Sequence, residues 1–242
     1  MAASNFIKIL VLTSGLAITQ SGNALVDPDP MESLNQEIFS FNKFVDSVYI
    51  KPVSVVYDKV LPMPAKMSVS NFISNLGEIP VVANGILQGK FDQALRDTVR
   101  FGVNSTLGIF GLFDVASQIG LSAHKEDFGK TLYAWGWKNS NYFVIPILGP
   151  STVRDAVGIA GNLFISAPAY FKPKWRNRYY GLVLVNKRNE YSEFEGIVGV
   201  AGVNYYNLVR SSYLQNREYV LTEGKVPVKS NAGGDLLGEP PA

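Results

Sequence analysis

After residue 24 the chain contains no run of the roughly 20 consecutive apolar residues that a membrane-spanning helix requires. Hydrophobic residues nevertheless make up 47% of the chain and aromatic residues 12%, while only 17% of the residues are charged. Soluble domains usually contain roughly 25% charged residues, so part of this surface is expected to contact something other than water. The sequence therefore predicts amphipathic helices or short re-entrant segments wherever the protein meets lipid.

The N-terminal segment has the features of an export signal. Lys8 is the only charged residue among the first 26, an apolar run extends from Ile9 to Ile18, and Gly22-Asn23-Ala24 resembles a signal-peptidase site. We predict a cleaved signal peptide over residues 1–24, with a retained anchor helix as the alternative. A helical domain over 25–224 and a flexible tail over 225–242, rich in proline and glycine, complete the predicted organisation.

Helical patterns recur from Asp29 onward. Asp29-Pro30-Met31-Glu32 combines an N-cap aspartate, a proline in the first turn and a capping-box glutamate, and apolar residues follow as far as Val48. Pro52 is predicted to end this helix, and Gly149 to Thr152 to form a turn that starts another. Further helices are predicted over residues 53–60, 65–76, 79–88, 91–101, 112–119, 127–135, 175–194 and 203–223. Since period-2 alternation is weak, we predict an all-α fold.

Residues that usually carry catalysis are sparse. There is no cysteine, and the single histidine, His124, cannot by itself form a multi-histidine metal site. His124 could serve as a general base beside a carboxylate, but no Gly-x-Ser-x-Gly motif is present, and a solvated loop histidine is the favoured interpretation. We therefore predict a protein that is not an enzyme, with no catalytic residue, metal or cofactor. Lysine and arginine are scattered and the net charge is +2, which predicts no nucleic-acid partner.

Several asparagines interrupt apolar helical stretches. They are Asn35, Asn42, Asn71, Asn75, Asn84 and Asn104. Because asparagine is a poor helix former, each requires hydrogen bonds or a wet surface. Caps and hydrogen bonds between helices are one interpretation, and a polar lining for lipid head groups is the other. Aromatic residues cluster around Trp135 and around Trp175, as expected either of a core or of an interfacial membrane belt.

An ordered series of short strings runs through roughly residues 27–160. The strings are Asp29-Pro30-Met31-Glu32-Ser33-Leu34-Asn35, Phe39-Ser40-Phe41-Asn42, Lys51-Pro52, Asn71-Phe72, Asn75-Leu76, Leu87-Gln88-Gly89, Arg100-Phe101, Asn104-Ser105-Thr106-Leu107-Gly108 with Gly111 and Asp114, Glu126-Asp127-Phe128-Gly129-Lys130-Thr131-Leu132, Trp135-Gly136, and Pro146 through Asp155. Each string is short, but the ordered set is specific. It resembles the MlaA (VacJ-type) family of outer-membrane phospholipid-asymmetry proteins.

The resemblance implies a ring of amphipathic helices in one leaflet of the outer membrane, with a central amphipathic channel. It also implies a transport component that removes phospholipids from the outer leaflet and passes them to a periplasmic lipid carrier. The implied partners are phospholipid, the outer membrane, a trimeric porin and that carrier. By position, residues 39–42 match a helix beside the channel and residues 135–149 match a hairpin loop at the pore. The candidate channel and gating residues are Asn35, Phe39, Phe41, Asn42, Asn71, Asn75, Asn104, Trp135, Gly136, Trp137, Tyr142, Pro146 and Gly149.

Two features depart from the family pattern. Familiar members are lipoproteins anchored by a cysteine, whereas this chain has none, so we expect an exported protein on the periplasmic side of the outer membrane that is not a lipoprotein. The family's loop also carries further glycines where this chain has Lys138-Asn139-Ser140-Asn141-Tyr142, which predicts a stiffer hinge. Two other functions stay open: a porin-associated structural envelope protein without lipid transfer, and a lipid hydrolase that uses His124.

Overall fold

The computed structural model describes residues 29–198 and 205–225, with side chains described for 29–192 and 205–225. The predicted signal peptide, and the predicted tail beyond Lys225, lie outside the described residues. Within them the prediction of an all-α fold is confirmed. The elements are α1 Glu32–Val45, a π-helix Asp46–Ile50, α2 Lys51–Val60, α3 Met63–Leu87, α4 Phe91–Thr106, α5 Val115–Gln118, α6 Phe128–Ala134, β1 Tyr142–Ile145, β2 Gly149–Thr152, α7 Val153–Ile165, a 3-10 helix Ala167–Tyr170, α8 Pro173–Val198 and α9 Tyr205–Leu221.

The first two helices join without a break, contrary to the prediction that Pro52 ends the first one. The chain passes from α1 through the π-helix into α2, and Pro52 lies in the first turn of α2, where its fixed φ is compatible with a helix. The predicted cap is also wrong. Helix α1 has Met31, and not Asp29, at its N-cap position, and Met31 makes no side-chain capping bond.

Helix α3 is one helix of 25 residues, where the sequence predicts two helices separated around Gly77. Pro80 lies inside it, although an interior proline removes one backbone hydrogen bond and costs about 3 kcal/mol. Packing offsets this local cost. The backbone of α3 approaches α4 so closely that a Cβ atom added at Gly85 would lie 3.3 Å from the Cβ of Ala94.

A β-hairpin replaces the turn predicted at Gly149 to Thr152. Strands β1 and β2 pair antiparallel, with Tyr142 opposite Thr152 and Ile145 opposite Gly149. The prediction of a new helix immediately afterwards is correct. Thr152 caps α7 by accepting a hydrogen bond from the backbone N–H of Asp155.

Helix α4 shows how the described part of the molecule distributes polarity. Asp97, Arg100 and Asn104 are buried, whereas Phe91 and Leu95 on the other side are about two-thirds exposed. The same reversal holds across the described residues, where most buried side chains are polar or charged and many large apolar side chains are exposed. None of the described helices is both long enough and apolar enough to cross a membrane. Such an apolar exterior marks a protein or membrane interaction surface.

Candidate functional site

Two asparagines of α1 hold the β-hairpin against that helix. Asn35 donates to the carbonyl of Tyr142 (3.2 Å) and accepts from the N–H of Val144 (2.8 Å). Asn42, two turns later, donates to the carbonyl of Ile145 (3.0 Å) and accepts from the N–H of Ile147 (2.7 Å). Each amide therefore uses its donor and its acceptor on the backbone of the hairpin, as a neighbouring strand would. We call this pair of contacts the asparagine clamp.

Aromatic residues support the same region from the C-terminal helix. Phe39 contacts the ring of Tyr206 edge-on, with centroids 5.5 Å apart, and Tyr206 contacts Tyr142 at 6.2 Å. Tyr142, Val144 and Tyr206 form the apolar core cluster of the described residues. The structure therefore brings together Asn35, Phe39, Asn42 and Tyr142. Phe41, from the same helix, is half-exposed on the outside.

The tip of the hairpin is apolar and conformationally strained. Pro146, Ile147 and Leu148 connect the strands, and Ile147 and Leu148 are largely exposed. Ile147 has φ of +68°, which is unfavourable for a β-branched residue, and Gly149 follows with φ of +87°. The hydrogen bond from Asn42 to the N–H of Ile147 helps to hold this conformation. An exposed apolar tip on a clamped hairpin is a candidate lipid-contacting element.

The predicted residues Asn71, Asn75 and Asn104 lie in a second group, around the loop after α4. Asn71 donates to the carbonyl of Leu112 (3.2 Å) and Asn75 to the hydroxyl of Ser105 (3.0 Å). Asn104 accepts from the N–H of Ala116 (2.9 Å). The loop itself exposes several large apolar side chains: Leu107, Ile109, Phe110, Leu112 and Phe113. We call residues 107–113 the apolar loop.

The predicted residues Trp135, Gly136 and Trp137 form a third group, at the end of α6. The indole N–H of Trp135 donates to the carbonyl of Leu87 (3.1 Å), while much of its ring is exposed. Gly136 has φ of +114°, a conformation that suits glycine. The carbonyl of Trp137 accepts from Arg154 (3.3 Å). The predicted site residues are thus divided among three places in the fold.

A buried ion cluster in α3 and α4 was not predicted as part of the site. The guanidinium of Arg100 donates to Glu78 (2.8 Å) and Asp114 (2.9 Å), and also to the carbonyl of Leu121 (2.6 Å). Burial raises the pKa of Glu78 despite its bond to Arg100. Burial acts in the same direction on Asp114, but hydrogen bonds from Ser117, Arg100 and Asn104 lower the pKa of Asp114 to about 2. Half of the signal was available: Arg100 is a charged residue inside a predicted helix of a chain with few charges, whereas Glu78 lay in the break predicted around Gly77.

The buried polar groups retain unused acceptors. Within the described residues, Oδ1 of Asn75, Oε2 of Glu78 and Oδ2 of Asp97 are buried and accept no hydrogen bond from another protein group. Buried acceptors of this kind usually bind water or another polar molecule.

His124 does not stand free in solvent as the favoured interpretation predicted. Its Nδ1 lies 2.6 Å from Oδ1 of Asp97, whose carboxylate is fully buried, while about a third of the histidine side chain is exposed. A histidine beside a carboxylate is half of a general-base arrangement. The contact also links the loop before α6 to α4, together with the bond from Arg100 to Leu121. Within the described residues, no cluster of acidic and histidine side chains could hold a metal ion.

The C-terminal helix α9 is attached through a second ion cluster, also unpredicted. Arg217 donates to both oxygens of Asp127 (2.7 and 2.8 Å) and both oxygens of Asp155 (2.8 and 2.9 Å). Asp127 also caps α6, where it accepts from the N–H of Lys130. Arg217 thereby joins α9 to the N-terminal ends of α6 and α7.

Comparison with known proteins gives a consistent result. The sequence profile of the family described as MlaA lipoprotein matches residues 27–220. The chain is 33% identical over 193 residues to an uncharacterized protein of Rickettsia bellii, covering 78% of this chain and 75% of that protein. It is 28% identical over 213 residues to the intermembrane phospholipid transport system lipoprotein MlaA of Escherichia coli K12, covering 86% of this chain and 84% of the relative.

A solved structure supports the same relationship. It comes from work on the structural basis for maintenance of bacterial outer membrane lipid asymmetry, and it matches with a TM-score of 0.70 at 28% identity, covering 80% of this chain and 98% of that one. These relatives contradict one prediction. The family and its E. coli member are named lipoproteins, so the expectation that the protein is not a lipoprotein is wrong. That expectation rested only on the absence of cysteine from the sequence. From its matched sequence and shared helical fold, the chain belongs to the MlaA lipoprotein family.

Proposed function

We propose that this protein is an outer-membrane component of phospholipid transport that removes phospholipids from the outer leaflet and passes them to a periplasmic lipid carrier. The observation that carries the proposal is the reversed polarity of the described domain, with apolar side chains outside and charged or amide side chains inside. A phospholipid needs both kinds of surface, because its head group must stay solvated while its tails avoid water. The relatives named for phospholipid transport support the same function.

In this mechanism the protein provides a route and no covalent chemistry. Head groups follow the interior amides and charges. Tails follow apolar surface at the hairpin tip and the apolar loop. The direction of transfer follows from the affinity of the acceptor, since a pathway shifts lipid only toward the state that binds it better. A ring of helices around a central channel in one leaflet is the architecture we propose for this route.

The hairpin has the role of a positioned gate in this proposal. Ile147 and Leu148 present apolar surface at its tip, and the asparagine clamp sets where that tip lies relative to α1. Two further predicted residues, Pro146 and Gly149, belong to the hairpin itself. The hairpin is preceded in the chain by the predicted residues Trp135, Gly136 and Trp137. Phe41 and Asn42 belong to the helix that holds it.

The test disrupts the asparagine clamp at Asn42 and measures phospholipid in the outer leaflet of the cell surface. Asn42→Leu, and separately deletion of Phe41 and Asn42, are expressed in cells that lack their own copy of the protein, and outer-leaflet phospholipid is quantified by surface labelling. We expect the level to differ severalfold from that with the wild type. Gln36→Leu is the matched control, because Gln36 is exposed on α1 and its side chain, among the residues that the structure describes, bonds only Glu32 of the same helix. Unchanged surface phospholipid in both clamp variants would contradict the proposal.

A reconstituted transfer assay separates transport from a structural role. Vesicles that contain the protein and a trimeric porin are mixed with a soluble periplasmic carrier, and labelled phospholipid on the carrier is measured over time. Transport requires transfer that depends on the protein. A porin-associated scaffold would bind the porin and leave the carrier empty. His124→Ala in the same assay tests a hydrolase, which would lose release of fatty acid, and we expect transfer without any such release.

A further inference from the structure

A basic and aromatic surface surrounds the first turns of α8. Its cations are Lys172, Lys174, Arg176 and Arg178, and its aromatic residues are Phe164, Tyr170, Phe171 and Trp175. We call these residues the basic–aromatic patch. The asparagine clamp, the ion clusters and the hairpin do not involve it. It also corrects the description of the cations as scattered, because four of them fall within residues 172–178.

The cations of the patch have no acidic counterpart in the described part of the chain. Between Asp155 and Glu190 the sequence contains no aspartate or glutamate. Among the residues that the structure describes, none of the four forms an ion pair, in contrast to Arg188 further along α8, which lies 2.7 Å from Asp46. The later part of α8 is also bonded to neighbouring helices through Asn186 and Glu190. No described acidic side chain therefore neutralises the positive charge at the start of α8.

Local helix stability does not account for these cations. The positive end of a helix dipole lies at the N-terminus, where acidic residues stabilise and cations destabilise. Helix α8 has no acidic residue in its first turn, and Lys174 lies there instead. The partial positive charge of the helix N-terminus has the same sign as the lysine and arginine side chains. The surface therefore attracts anions more strongly than the side chains would alone.

The aromatic residues project beside this charge. Tyr170 is 75% exposed, Phe164 74% and Trp175 57%. The guanidinium of Arg178 lies over the ring of Trp175, 5.0 Å from its centroid. Exposed aromatic rings next to lysine and arginine are typical of the membrane interface, where rings sit at head-group depth and cations meet phosphates. An acidic protein partner would explain the charge but would not require so much exposed aromatic surface.

We propose that the basic–aromatic patch binds the head groups of anionic phospholipids at the membrane surface. The proposal rests on the membrane location in the proposed function and is independent of lipid transfer. Anionic lipid surfaces attract each nearby lysine or arginine, so four adjacent cations favour an anionic lipid over a zwitterionic one by roughly tenfold or more. The aromatic rings place the cations at the depth of the phosphates.

Trp175 can report on this binding directly. The chain has three tryptophans, so a Trp135→Phe, Trp137→Phe background leaves Trp175 as the sole one. The protein is reconstituted into phosphatidylcholine vesicles that contain increasing fractions of brominated phosphatidylglycerol or brominated phosphatidylcholine, and quenching of Trp175 is measured. We expect brominated phosphatidylglycerol to quench at a roughly tenfold lower mole fraction. High salt should reduce that preference.

Two charge-matched variants separate the patch from net charge. Lys172→Gln, Lys174→Gln, Arg176→Gln and Arg178→Gln together should abolish the preference. Lys59→Gln, Arg96→Gln, Lys125→Gln and Lys187→Gln, four exposed cations elsewhere, should retain it. Exchanging lysine for arginine and arginine for lysine within the patch should also retain it, which keeps the test valid if the neutralised patch folds poorly.

Each remaining outcome contradicts a defined claim. Equal quenching by both lipids would overturn the anionic preference while leaving the membrane location intact. Loss of preference in the control variant would show that net charge, and not the patch, is responsible. An absence of quenching by either lipid would remove Trp175 from the membrane surface, and with it the location on which the proposal rests. Failure of lipid transfer alone would affect only the proposed function.

Discussion

At the residue scale, individual buried charges connect elements that are distant in sequence. Arg217 of α9 forms ion pairs with Asp127, which caps α6, and with Asp155, in the first turn of α7. Arg100 of α4 forms ion pairs with Glu78 of α3 and with Asp114, which precedes α5. Removing one partner of a buried pair is strongly destabilising, because the other charge stays buried without compensation. Single substitutions at these residues should therefore have larger effects than at exposed charges.

Arg217→Met is expected to lower the free energy of unfolding by about 3–5 kcal/mol, because Asp127 and Asp155 lose their shared cation. Chemical denaturation in detergent, followed by circular dichroism, measures the change. Lys225→Met is the matched control near the same end of the chain. Its side chain is 80% exposed and lies 3.7 Å from Glu223, so about 0–1 kcal/mol is expected. Equal effects of the two substitutions would refute a structural role for Arg217.

The lowered pKa of Asp114 predicts a dependence of stability on pH. A carboxyl with a folded pKa of about 2, against the 3.8 that is usual for aspartate, contributes stability above about pH 4 and loses it as the pH falls toward 2. Asp114→Asn should therefore be less stable than the wild type by about 2 kcal/mol near pH 6 and nearly equal to it near pH 2. Burial, which is the main cause of the raised pKa of Glu78, acts with the opposite sign and is present in both proteins.

Unfolding curves at pH 6 and pH 2 measure this difference. Glu37→Gln, at an exposed position in the interior of α1, is the control and should change stability little at both values. A constant gap between Asp114→Asn and the wild type across this range would mean that the carboxylate acts through packing and not through its charge.

Two glycines in helices should respond to alanine in opposite directions. A Cβ atom at Gly158 would lie 2.5 Å from the backbone nitrogen of Gly129, so Gly158→Ala must separate α6 from α7, at a cost of about 1–3 kcal/mol. Gly77 lies inside α3 with no atom within 4 Å of an added Cβ, so Gly77→Ala should add about 0.5–1 kcal/mol. Thermal unfolding of both variants tests this, and stabilisation by Gly158→Ala would contradict the close approach.

At the scale of elements, the hairpin depends on α1 for its position. A two-stranded hairpin is marginally stable alone, so contacts from outside must hold it. Asn35 and Asn42 supply these contacts through the backbone, and such contacts do not depend on which side chains the strands carry. The clamp therefore sets the register between α1 and β1 more than the apolar residues do.

Asn42→Leu should release the tip of the hairpin while Asn35 continues to hold its base. The N–H of Ile147 loses its acceptor, so its hydrogen exchange should accelerate by roughly tenfold, the equivalent of about 1.4 kcal/mol, whereas the N–H of Val144 should change little. Hydrogen exchange with mass spectrometry resolves the two segments, and Gln36→Leu again serves as the control. Uniform acceleration over the whole hairpin would mean that the two asparagines act as one unit.

At the scale of the whole molecule, the exposed apolar side chains should determine membrane attachment. Phe110 is 74% exposed in the apolar loop, and hydrophobic burial contributes about 25 cal/mol for each Å² removed from water. Phe110→Asp should therefore lower binding to phospholipid vesicles by roughly tenfold or more with little change in circular dichroism. Vesicle flotation measures binding. Ser122→Asp adds the same charge at an exposed polar position and should bind as the wild type does.

Local sequence determined most of the helices and some of their ends. Asp127 and Thr152 cap α6 and α7, because a capping side chain needs only its own next few residues. The apolar and polar sides of α4 were also evident in the sequence. The ordered strings pointed to the family, although composition and periodicity alone would not have done so.

Tertiary structure decided what the sequence left open. The periodicity of the sequence distinguishes an apolar and a polar side of α4, but it does not determine which side faces inward. The orientation depends on the surrounding solvent and on partners from other segments, such as Glu78 and Asp114. The asparagines gave two interpretations, and only the folded chain brought Asn42 to the backbone of a hairpin 103 residues away. Pro80 continues a helix because packing of α3 against α4 outweighs the lost backbone bond. Long-range contacts of this kind leave no local trace in a single sequence.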